Sequence, residues 1–208
     1  MWFANRVFLL TCVAAGSAFA DQPMELSEAG YLESAGQEGV VLLEANWGRR
    51  WGCAGSENAQ LQELTFTRVA DEASDRVVLK LKTPSRLFVD NRFSPYALLI
   101  EPGEYALTGF DVKVARSMSD ISHAVWDDQY GGSFSVTAGE FVYIGHFGLD
   151  CTVEPIPWRY YIEGEDEFKR YIEGFRERFP FVGDTTVEFR LFETTLFGTE
   201  YSLLDSTE

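Results

Sequence analysis

Residues 61–82 read LQELTFTRVADEASDRVVLKLK, and their period decides the fold class. Leu64, Phe66 and Arg68 fall on one side of an extended chain, and Thr65, Thr67 and Val69 on the other. Val77, Leu79 and Leu81 alternate more cleanly with Val78, Lys80 and Lys82. Successive strand side chains point to opposite faces, so both runs predict β-strands. Asp71 to Asp75 between them has the polar composition of a hairpin turn.

The same signal recurs on either side. Val40 to Leu43 is a short apolar strand-type run, followed by a glycine-punctuated loop from Asn46 to Gly55. Tyr96 to Ile100 is another apolar run, and the turn Glu101-Pro102-Gly103-Glu104 predicts that the alternating stretch Tyr105 to Val114 pairs back on it. Ser117 to Gly132 reads as a polar loop carrying His123, Trp126, Asp127 and Asp128. Ser133 to Val136 and Phe141 to Gly145 flank Thr137-Ala138-Gly139-Glu140, a second hairpin signal. Near the C-terminus the period changes: Phe168, Tyr171, Ile172, Phe175 and Phe179 mark one face of a helix. Acids at 165–167 suit its N-terminal dipole, Arg176 and Arg178 its C-terminal end, and Pro180 stops it. Thr186 to Phe192 alternates again, and Tyr201 to Leu204 reads as a last short strand. The expected fold is mainly β: an antiparallel β-sandwich or bent sheet at residues 40–208, with one C-terminal amphipathic helix packed on it. Residues 21–39 read as a flexible N-terminal arm, either without structure or with a short helix.

Pro102-Gly103-Glu104-Tyr105-Ala106-Leu107, leading into an alternating strand, is similar to the Pro-Gly-x-Tyr hairpins of transthyretin-like and carboxypeptidase regulatory-like β-sandwich modules. The resemblance covers about Val77 to Ile144. It implies an accessory or binding module without a catalytic centre.

The chain has 208 residues, 46% of them hydrophobic, with 33 Asp+Glu against 17 Lys+Arg. Residues 1–20, with one cation at Arg6, an apolar run from Val7 to Ala15 and Ala18-Phe19-Ala20, read as an export signal cleaved after Ala20. The apolar run is shorter than the roughly 20 residues an anchor helix needs. A lipoprotein reading at Cys12 lacks the small residues expected just before the cysteine. The mature chain then has no transmembrane segment, and the periplasm or the exterior is its expected location. Loss of Arg6 with the leader makes the formal charge one unit more negative than the −16 of the whole chain. Nucleic acid, which is bound through cations on phosphate, is therefore not an expected partner.

Removing the leader takes Cys12 and leaves Cys53 and Cys151, which in an oxidising compartment are expected to pair. A zinc set of these two with His123 and His146 lacks the close ligand pairs of structural zinc sites, and no cofactor or metal is expected. His146, Asp150 and Cys151 hold the ingredients of an activated thiol, which a bridged Cys151 could not supply. Ser122 and His123 with Asp120 and Asp127 lack a nucleophile elbow. No catalytic residue is assigned.

Aromatic side chains in loops point elsewhere. Trp47, Arg49, Arg50 and Trp51 form one cluster, and Trp158, Arg159 and Tyr160 a second, and both suit recognition of a protein or a sugar. The alternative is that these rings cap the core and stack on arginine. The reading is a non-catalytic exported binding protein with an acidic surface, whose partner is an envelope protein or cell-wall glycan. The competing reading is a periplasmic hydrolase acting on cell-wall glycan through a carboxylate pair.

Overall fold

The structure is a computed structural model that describes residues 24–53, 55–69, 77–84, 91–117, 120–125, 132–151, 156–160, 162 and 164–190. The expected export signal at residues 1–20, the expected turn at 71–75, Trp126 and the strand expected at Tyr201 to Leu204 lie outside these residues. Among them no helix is long and apolar enough to cross a membrane.

The fold is mainly β, with two sheets. The first runs β1 (Met24–Glu25), β6 (Phe93–Ile100), β2 (Gly39–Asn46), β10 (Phe141–Asp150), β11 (Ile156–Tyr160), with β12 (Val187–Phe189) also on β10. The second runs β3 (Arg50–Trp51), β4 (Asn58–Arg68), β7 (Gly103–Ser117), β8 (Asp120–Val125), with β5 (Val78–Lys82) on β4 and β9 (Ser133–Val136) on β7. The β4–β5 pairing, Leu64 opposite Leu81 and Phe66 opposite Leu79, is the hairpin read from residues 61–82.

The main core lies between the sheets, where Val41, Leu43, Ala45, Val142, Ile144 and Phe147 of the first meet Leu61, Leu64, Phe66, Tyr105, Val112 and Phe134 of the second. A second core lies on the outer face of the first sheet. There α1 (Glu28–Ser34), α2 (Glu165–Arg178) and a 3-10 turn at Pro180–Val182 cover Val40, Leu42, Leu99, Phe141 and Tyr143. With both faces covered, β2 and β10 read as continuous apolar runs rather than alternating ones. Helix α2 follows its predicted ends, burying Ile172 and Phe175 and closing with Phe179 N–H on the Phe175 carbonyl at 2.9 Å.

Several expectations are corrected. Pairing is not antiparallel throughout: β10 runs parallel to both β2 and β12. Residues 21–39 are not a flexible arm from Met24 on, because β1 pairs with β6, Leu26 is buried, and Ser27 caps α1 by accepting the Gly30 N–H at 3.2 Å. Neither glycine turn is a hairpin. After Ile100 the chain leaves the first sheet, and β7 joins β4 in the second; after Val136 it returns, and β10 joins β2. The polar loop at 117–132 contains β8, paired along the second half of β7.

Candidate functional site

The segment between β2 and β4 is pinned at both ends. At its start Asn46 Oδ1 accepts the Gly48 N–H at 2.9 Å, and Asn46 Nδ2 donates to Asn91 Oδ1 at 3.0 Å. Gly48 is required by close approach, since a Cβ there would stand 2.4 Å from Asn91 Cα. At its end Cys53 is bridged to Cys151, with the two Cα atoms 4.5 Å apart. Between these anchors β3 adds two residues to the sheet, Arg50 opposite Ala59 and Trp51 opposite Asn58.

The four residues predicted to act together here are separated. Trp47 is a correction: its side chain is fully buried in the main core, its Nε1–H donates to the Tyr96 hydroxyl at 2.7 Å, and its carbonyl accepts from Gln60 Nε2 at 3.0 Å. A ring held in this way belongs to the core and offers no binding face. Trp51 is the opposite case, 66% exposed, with the Arg49 guanidinium 5.5 Å from its ring centroid. Arg50, its neighbour along the strand, lines a cavity of about 180 Å³ with Asn46, Gly48, Phe93, Gly148 and Leu149. Trp158, Arg159 and Tyr160 lie on β11, opposite Gly148, Phe147 and His146 respectively, which places the second predicted cluster at the same end of the first sheet. Their side chains lie outside the described residues.

Sequence reasoning missed a half-buried polar pair next to this cavity. Glu44 on β2 and His146 on β10 are partners in the parallel ladder, and His146 Nε2 is 3.6 Å from Glu44 Oε2. The Phe93 ring, a wall of the cavity, lies 5.1 Å from the His146 ring; Tyr143 and Tyr171 stand 5.5 and 5.9 Å away. His146 Nε2 is buried and has no hydrogen-bond partner among the described residues. Burial holds the imidazole down at about 4, so it is neutral at pH 7. Burial also raises the Glu44 carboxyl, and it raises the Tyr171 phenol far above its usual range, the Glu44 charge adding to that effect. A bulge between Tyr143 and His146, with Gly145 at φ 107°, sets the histidine on this face. The isolated His146 in the sequence carries no sign of a carboxylate partner a hundred residues earlier.

The disulfide removes Cys151 as a nucleophile, and both cysteines as thiolate ligands. Among the described residues no group of three or more His, Cys, Asp or Glu side chains could hold a metal ion. The side chain of His123, on β8, and the whole of Asp127 lie outside the described residues. What the geometry offers at this end is an exposed aromatic ring, a guanidinium without an ion-pair partner among the described residues beside a small cavity, and a backbone fixed by an amide clamp and a disulfide. Compared with protein-family models, curated proteins and solved structures, the chain matches none.

Proposed function

We propose that this is a non-catalytic exported binding protein that recognises an envelope partner, a protein or a cell-wall glycan, through the Arg49–Trp51 segment at the disulfide-stapled end. The observation that carries the reading is the 66% exposure of Trp51, a large ring left in solvent on a segment anchored at Asn46 and Cys53. Indole rings supply much of the energy of recognition surfaces, and a fixed backbone lowers the ordering cost of binding. Export is supported by the leader-like residues 1–20 and agrees with the disulfide. The strong negative charge supports solubility and steering rather than the contact itself.

Affinity capture from an envelope extract tests this, using wild type and the Trp51→Ala and Arg49→Ala variants. The expected result is a partner retained by wild type and lost by Trp51→Ala. Identical recovery by all three proteins would remove this surface, and turnover of a cell-wall glycan by repurified protein would establish the hydrolase instead.

A further inference from the structure

We infer that the cavity beside Arg50 is a subsite for a carboxylate carried on a small apolar group, of the kind a peptide C-terminus with an apolar last residue presents. This inference rests on the reading of the Arg49–Trp51 segment as a recognition surface.

Charge gives the first argument. Arg68, Lys80, Arg178 and Arg190 each meet a carboxylate. The exposed side chain of Arg50 has no hydrogen-bond or ion-pair partner among the described residues, in a chain with 33 acidic residues. Among the described residues, the rest of the wall, Asn46, Gly48, Phe93, Gly148 and Leu149, carries no charge. Asn46 already holds Gly48 and Asn91, and the guanidinium is the one charged group among the described wall residues. Its planar fork matches a carboxylate in a bidentate pair.

The walls give the second. Phe93 and Leu149 are apolar, and the Phe93 ring is held against His146. Gly48 and Gly148 contribute no side chains, which keeps the space open. The space is about 180 Å³. That admits a carboxylate and a short apolar group. A monoanion forms a neutral pair with one guanidinium, whereas a phosphate dianion leaves excess negative charge beside apolar walls and near Glu44. A sugar acid would turn its hydroxyls toward Phe93 and Leu149, which cannot hydrogen-bond them.

The experiment is an NMR titration of the ¹⁵N-labelled, oxidised protein with N-acetyl-leucine, N-acetyl-leucinamide and glucuronate. N-acetyl-leucine is expected to give saturable shifts of the Gly48, Arg50 and Gly148 amides. The neutral amide should bind about tenfold more weakly, as loss of one charge-assisted pair implies. Arg50→Gln should weaken N-acetyl-leucine to the same degree while resonances away from the cavity stay in place, and Arg50→Lys should fall between. Equal binding of acid and amide, unchanged affinity in Arg50→Gln, tighter binding of glucuronate, or no saturable shift in the tens-of-millimolar range would each overturn the subsite. A partner lost with Trp51→Ala but kept with Arg50→Gln would overturn the subsite and leave the recognition surface standing.

Discussion

His146 and Glu44 face each other across the parallel pair at the centre of the first sheet, Nε2 to Oε2 at 3.6 Å, too far apart for a hydrogen bond. The neutral imidazole is the stable form because burial disfavours its charge, even beside a carboxylate.

From that pair follows a pH dependence of known sign. The ordinary histidine value is 6.5, and the folded value lies at about 4. As pH falls between these limits the unfolded chain takes up the proton first, so stability declines with acidification, and below about 4 this contribution levels off. The full shift corresponds to up to about 3 kcal/mol, an upper limit because Glu44 attracts the same proton. Urea midpoints from pH 7 to 4 should fall less steeply for His146→Gln than for wild type. Parallel profiles would show that His146 does not titrate in this way.

Opening the Cys53–Cys151 bridge should lower stability substantially. The cysteines are 98 residues apart in sequence, and the chain-entropy model assigns such a loop about 4 to 5 kcal/mol. The Cys53→Ala/Cys151→Ala double variant, compared with wild type by urea denaturation, should lose stability on that scale. A difference under about 1 kcal/mol would mean that the crosslink does little to restrict the unfolded chain.

Tyr96→Phe removes the acceptor of a fully buried indole N–H. The expected cost is about 1 to 3 kcal/mol, the penalty for an unsatisfied buried donor. In a Trp47→Phe background the donor is gone, so the same substitution should cost clearly less. Equal costs in the two backgrounds, measured by denaturant titration, would mean that the bond contributes nothing to folding.

Two glycines should respond to alanine with opposite signs. A Cβ at Gly39 would stand 2.3 Å from Val136 Cγ2 and 2.7 Å from the Thr137 carbonyl, so β2 and the β9–β10 link must separate, at about 1 to 3 kcal/mol. Gly174 lies within α2 with nothing near its added Cβ, and Gly174→Ala should stabilise by about 0.5 to 1 kcal/mol. Thermal unfolding of both variants reads the two signs directly, and a stabilised Gly39→Ala would contradict the contact.

Local period made β4, β5 and α2 legible, because each repeats over enough residues to mark its own face. The paired cysteines followed from compartment and count. Pro102-Gly103 and Ala138-Gly139 show that the chain turns, but turn composition does not say which sheet receives the next strand, and both times it is the other one. Strand β8 escaped because its run, DISHAV, is too polar to separate from the surrounding loop. Trp47 looked like a loop aromatic because Gly48 follows it, although the hydroxyl of Tyr96, almost fifty residues later, accepts its hydrogen bond. The Glu44–His146 pair was invisible for the same reason: its members are brought together only by a long-range parallel pairing.

The position of β10 affects how the chain is made. β2 has β6 on one side, and its other side is filled only by β10, whose first residue is Phe141. Ribosomes add about 5 to 20 residues per second, so the apolar edge at Val40 to Leu43 waits on the order of ten seconds for its neighbour. An unpaired edge of that kind templates aggregation. Newly made chains therefore expose this edge until residue 150 is available, whereas a full-length chain diluted from denaturant has both strands present from the start.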